Sequence, residues 1–172
     1  MSMHPSIPVP LDPGFEPAVL FNREYIQKVR ASGKSVPLVL GLERENGLVS
    51  RFETIVSPIS DSRTLLYVER LVKFLLWSRG GWKLHFGGPA SIGESIRKTY
   101  SARGARKFDC KMMALAYGRD FEVRVTNADH VPAAKDMEVS AGGHLEGCRI
   151  GFDLGASDYK VSAVVDGEAI FT

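Results

Sequence analysis

Cysteine is scarce in this chain. Cys110 and Cys148 are the only two in 172 residues, they stand far apart, and neither has a CxxC partner, so no disulfide framework and no thiolate zinc site can be assembled from them. That usage is expected of a reducing compartment. The four histidines, His4, His85, His130 and His144, show no ligand spacing with one another or with the cysteines. Charge of one sign is missing too: 22 basic residues face 20 acidic ones, a net charge of +2, which gives no reason to invoke nucleic acid or a membrane surface. Long apolar runs are absent, Phe74 to Trp77 being far too short to span a bilayer, and the amino-terminal MSMHPSIPVPLDPG has no apolar core of a signal sequence. A bilayer-spanning helix needs about 20 apolar residues, so the reading is a cytoplasmic protein.

What is present reads as mixed α/β. Five prolines within residues 1–17 lock φ and remove amide donors, and predict an extended arm. Asn22 is placed to cap a short helix running to about Ala31, with Tyr25, Ile26 and Val29 on one side and Gly33 ending it. In VPLVLGLERENGLVSRFETIV (36–56) two apolar-rich runs flank Asn46-Gly47, the dipeptide that supplies the positive φ values of a tight hairpin. Asp61 or Ser62 opens the next helix, whose apolar residues recur at helical spacing from Leu65 to Leu76 until Arg79-Gly80-Gly81. WKLHF (82–86) predicts a buried strand, PASIGESIRKTY (89–100) and RKFDCKMMALAYG (106–118) predict helices, and FEVRVTN (121–127) alternates as a strand does. These elements form one α/β domain over 36–131. The stretch 132–147 is rich in glycine and poor in large apolar residues, the composition of a linker.

The most informative stretch is GFDLGASDYKVSAVVDGEAIF (151–171). A strand leads to Asp153, small residues turn the chain at Gly155-Ala156-Ser157, a valine-rich strand returns from Tyr159, and Asp166-Gly167 turns it again. A nucleotide's β- and γ-phosphates need closely approaching backbone amides, which Gly and small residues permit, and the Ser157 hydroxyl adds a donor. A carboxylate at a strand end can hold Mg²⁺, which keeps several waters and takes one or two protein carboxylates. Asp, Gly and Ser are also plain turn formers, and a β-meander with no ligand uses the same residues.

The run D-L-G-A-S-D-Y-K-V followed by V-V-D-G resembles the first phosphate motif of the superfamily that joins sugar kinases, actin and the heat-shock ATPases. Within it the likeness is to the ROK family (repressors, open reading frames and kinases). The resemblance covers about 25 residues and implies the first β-meander of an actin-like (ribonuclease H-like) ATPase domain after the α/β domain. It further implies ATP and Mg²⁺ as cofactors, with Asp153 near the metal, Gly155, Ala156 and Ser157 around the phosphates and Lys160 nearby. The implied reaction is transfer of a γ-phosphoryl group to a sugar, nucleotide and sugar being the partners. A kinase of this kind needs further segments after Thr172, including its base and adenosine pocket. The chain is therefore expected to be an amino-terminal portion, inactive alone, and its open meander is expected to self-associate. The competing expectations are a non-catalytic regulatory or interaction domain, or a ROK-type transcriptional regulator; no helix-turn-helix with a wing is visible to support the last.

Elsewhere the sequence offers Phe86-Gly87-Gly88-Pro89, a strand-to-helix turn where an anion could meet free amides, though no GxGxxG or Lys-Ser/Thr signature follows. Arg97, Lys98, Arg103, Arg106, Lys107 and Lys111 cluster around Tyr100 and Phe108, and are read as a solvated face. Met112, Met113 and Leu115 are read as core packing.

Overall fold

A computed structural model describes residues 10–12, 15–136 and 146–172. Residues 1–9 and 13–14 of the proline-rich arm, and 137–145 of the expected linker, lie outside the described residues. The chain divides into two compact units, residues 1–136 and 137–172. It is mixed α/β, with a four-stranded mixed sheet in the first unit and a three-stranded sheet in the second.

The first unit opens with α1 (Ala18–Ala31), which buries Phe21, Tyr25 and Val29 at four-residue intervals. The expected Asn22 cap is corrected here. The helix starts four residues earlier, behind Pro17, because Phe21 adds one more buried turn ahead of Tyr25. Asn22 lies inside the helix, and its Oδ1 is buried with no hydrogen-bond partner. Strands β1 (Val36–Glu43) and β2 (Val49–Val56) form the hairpin around Asn46 and Gly47, whose φ values are 58° and 65°. Helix α2 (Ser62–Arg79) is capped by Asp61, whose carboxylate accepts from the Thr64 amide at 2.8 Å, and Gly80 ends it at φ 71°. Then come β3 (Lys83–Gly87), α3 (Ala90–Thr99), α4 (Lys107–Tyr117) and β4 (Glu122–Thr126).

The sheet order is β2-β1-β3-β4. Strand β1 pairs antiparallel with both β2 and β3, and β3 runs parallel to β4 across the α3–α4 connection. Register places Leu40 opposite Phe86, Leu42 opposite Leu84 and Leu84 opposite Val123. These residues form the sheet's contribution to a core shared with Tyr67, Val68, Val72 and Leu76 of α2, Ile92 and Ile96 of α3, and Met113 of α4. Each such side chain contributes about 1.5–3 kcal/mol when fully buried. Tyr25 stacks on Tyr67 with centroids 4.4 Å apart and donates to Thr64 Oγ1 at 3.1 Å, tying α1 to α2. Leu115, expected in the core, is instead 69% exposed. Met113, two residues earlier and so on a different side of α4, takes the buried place.

The opposite face of this sheet is crossed by residues 127–136. Val131 packs over Gly41 and Gly87, where a β-carbon would come within 2.8 and 2.4 Å of its methyls. Arg51 Nη1 donates to the carbonyls of Val131 at 2.7 Å and Pro132 at 3.1 Å. Lys135 then exchanges backbone hydrogen bonds with Val49 along the outer side of β2.

The second unit is an antiparallel meander of β5 (Cys148–Leu154), β6 (Tyr159–Val165) and β7 (Glu168–Phe171). Asp166 (φ 46°) and Gly167 (φ 87°) form its second turn, and the Asp166 carboxylate accepts from the Gly147 amide at 2.6 Å. Opposed pairs Ile150–Ala163, Phe152–Val161 and Leu154–Tyr159 share one face. Ile150, Phe152, Leu154 and Tyr159 are all exposed there.

Candidate functional site

The turn between β5 and β6 carries the residues singled out from sequence. Pleating and register set their geometry: Asp153 stands directly opposite Lys160, and Gly151 opposite Ser162, so these four share the face away from Phe152 and Tyr159. Among the described residues the side chains of Asp153 and Lys160 form no ion pair within 4.0 Å and no hydrogen bond, and both are exposed. Asp153 and Lys160 also border an open cavity of about 850 Å³ that is lined largely by Phe152, Tyr159, Val161 and Phe171 and does not include Gly155, Ala156 or Ser157.

Gly155, Ala156 and Ser157 make the bend. Among the described residues, positive φ outside glycine occurs only at Asn46 and Asp166, so Ala156 sits at negative φ, where its methyl costs no strain. Gly155 is favoured by crowding within the turn itself. A β-carbon there would lie 2.7 Å from Asp158 Oδ1 and 3.1 Å from the Asp158 carbonyl oxygen, because the chain folds back on itself. No backbone hydrogen bond within the turn engages the amides of Gly155, Ala156 or Ser157. The structure thus brings Asp153, Lys160 and the small-residue turn to one end of the meander.

Sequence reasoning passed over Ser162 and Gly151. The signal for both was there: counting back two from Asp153 gives Gly151, and the cross-strand register then gives Ser162. Ser162 Oγ would lie 3.0 Å from a β-carbon at 151, so Gly151 makes room for the hydroxyl. One carboxylate, with the Ser162 hydroxyl diagonally across on the same face, matches the sparse donor set that Mg²⁺ accepts when phosphates and water complete its shell. Among the described residues no cluster of three or more His, Cys, Asp or Glu is placed to hold a metal by protein ligands alone.

The other sequence candidates resolve differently. Gly87 and Gly88 owe their lack of a side chain to packing, the first beneath Val131 and Ala128, the second against Leu38. In the basic cluster, Arg106 turns inward to pair with Glu69, and Arg97 pairs with Glu94. Arg97, Lys107 and Lys111 remain on the rim of a cavity of about 900 Å³ with Tyr100 and Phe121. Cys110 lies along that cavity and is buried. Burial pushes its thiol up to about 11, and the charge of Asp109 adds to the effect, so it is an unreactive core thiol. His85 is buried and shares a 2.8 Å hydrogen bond with Glu43 Oε2. Among the described residues no helix is long and apolar enough to cross a membrane. Compared with family models, curated proteins and solved structures, the chain matches none.

Proposed function

We propose that residues 148–172 are the first phosphate-binding hairpin of an actin-like ATPase domain of the ROK sugar-kinase type. Its role is to hold the β- and γ-phosphates of Mg·ATP for transfer to a sugar hydroxyl. The observation that carries the reading is that Asp153 stands opposite Lys160 across the mouth of the Gly155–Ser157 turn, both side chains without a partner among the described residues.

Each residue has a distinct part. The amides of Gly155, Ala156 and Ser157 donate to phosphate oxygens, and the Ser157 hydroxyl supplies another donor. Lys160 offers a point charge to the same oxygens. Asp153 holds the metal directly or through its waters, and bound Mg²⁺ would neutralise phosphate charge as it builds on the transferring group. These groups position and stabilise charge.

The test is a titration of isotopically labelled protein with Mg·ATP, read by the amide resonances of residues 153–160. A single hairpin makes few contacts, so binding is expected at a millimolar dissociation constant, about −4 kcal/mol. Shifts should centre on Gly155 to Ser157, appear equally with magnesium pyrophosphate, and vanish in Asp153→Ala. Shifts spread over the whole chain, or none at about 10 mM nucleotide, would overturn the reading.

A further inference from the structure

Among the described residues Arg70, on α2, has no counter-ion. Its Nη1 is buried without a hydrogen-bond partner, and its guanidinium lies 5.2 Å from the centroid of the Phe21 ring. Arg63 lies 5.0 Å from the same ring, but Arg63 has Glu24 at 3.6 Å and Arg70 has no carboxylate. That nitrogen is shut off from solvent, so what meets a partner is the rest of the half-buried Arg70 side chain, which lines a groove.

Arg70 lies along a groove of about 610 Å³ between the start of α1 and α2, with Phe15, Glu16, Lys73, Phe74 and Trp77. Its wall is aromatic and open to solvent: Phe74 is 67% exposed and Trp77 48%. That wall is already fixed in place. Trp77 stacks on Phe108 with centroids 6.3 Å apart, and its indole Nε1 donates to Asp109 Oδ1 at 2.5 Å. Glu16, on the same rim, forms no ion pair with Arg70 or Lys73, so the groove keeps an excess of positive charge beside its apolar surface.

We propose that this groove docks a segment of a partner protein in which a glutamate or aspartate stands beside leucine-like side chains. The carboxylate meets Arg70 and Lys73, and the apolar side chains cover Phe74 and Trp77. The charge and shape both favour this occupant. A guanidinium gives a carboxylate charge-assisted hydrogen bonds, and Arg and Trp together are the residues that dominate binding energy at interfaces. An amphipathic helix laid in a groove supplies the required pairing of acid and apolar groups one turn apart.

Trp77 reports on the groove directly. In the full chain carrying Trp82→Phe, emission would be titrated with the peptide acetyl-ELLEELLE-amide, its glutamine counterpart acetyl-QLLQQLLQ-amide, and sodium butyrate. The glutamate peptide should give a saturable shift, weakened roughly tenfold or more by Arg70→Gln and less by Arg70→Lys. The glutamine peptide should bind correspondingly weakly. Phe74→Ser, at a position that is mostly exposed, should also lose the shift while far-ultraviolet circular dichroism stays unchanged. The proposal fails if the glutamate peptide does not saturate by about 1 mM, or if Arg70→Gln or the glutamine peptide binds equally well. It fails also if butyrate competes as well as the peptide, which would make this a small-acid site. Finally, it fails if sedimentation shows a dimer that Phe74→Ser dissolves and Phe152→Ser does not, since a second copy would then fill the groove.

Discussion

Val131 covers Gly87 so closely that a β-carbon at position 87 would lie 2.4 Å from its Cγ2, and 2.8 Å from the backbone of Ala128. At Gly41 the obstacle is Val131 alone, 2.8 Å from its Cγ1, the next atoms being at 3.5 Å. The two glycines therefore differ in what would have to move. Gly87→Ala and Gly41→Ala should each destabilise the first unit, by about 1–3 kcal/mol as overpacking does. In a Val131→Ala background the penalty of Gly41→Ala should nearly disappear, while that of Gly87→Ala should persist because Ala128 backbone still blocks it. Urea midpoints of the three single and two double variants give this as a non-additivity. Equal rescue at both positions would show that the segment shifts as a body.

Asp61→Ala removes the side-chain acceptor from the first turn of α2. The expected loss is about 1 kcal/mol, read as a lower urea midpoint, with Asp61→Asn or Asp61→Ser retaining most of it.

Alkaline pH should weaken the first unit. The Cys110 thiol is raised from 9.0 to about 11, first by burial and then by Asp109. A thiol kept protonated in the fold contributes stability that is complete below pH about 9 and is lost as pH rises through about 11, since the unfolded chain releases the proton first. Burial raises Tyr67 and Tyr100 in the same direction. Unfolding midpoints should fall between pH 8.5 and pH 10.5 as rough limits, and Cys110→Ala should shrink the fall. Iodoacetamide at pH 8 should modify the exposed Cys148 well before Cys110. A midpoint independent of pH in the parent chain would contradict this.

The apolar face of the meander is expected to drive self-association. Phe152 is 69% exposed and Tyr159 75%, and a three-stranded sheet with one bare apolar face is marginal alone. Sedimentation should show a concentration-dependent increase in mass that Phe152→Ser reduces. A chain that stays monomeric near about 1 mM would argue against it.

Local signals were legible where one residue type decides the backbone. Asn46-Gly47 fixed a hairpin because both need positive φ, Asp61 marked a helix start, and alternation drew β4. Residues that act through tertiary contacts were not legible. Asn22 has the chemistry of a cap, but the burial of Phe21 extended α1 past it. Leu115 is apolar at a helical position, yet α4 turns Met113 inward. Within the candidate site, Asp153, Gly155, Ala156, Ser157 and Lys160 could be picked out one by one. That Asp153 opposes Lys160 depends on register, which a four-residue turn sets. The missing counter-ion of Arg70 left no trace in sequence, because it is a property of what surrounds the side chain.

The segment crossing the back of the four-stranded sheet also bears on the order in which that sheet is finished during synthesis. Arg51 reaches Val131 over 80 residues of chain. The β1–β2 hairpin is therefore made long before the residues that close its outer side, and until then β2 presents an unpaired edge, the kind of surface on which chains pair wrongly. Once Lys135 bonds to Val49, that position is taken and a lysine stands beside it. A chain shortened to end before residue 127 would keep all four strands yet leave this edge open. Its faults would be aggregation while folding and loss of the buried Val131 that covers the back of the sheet.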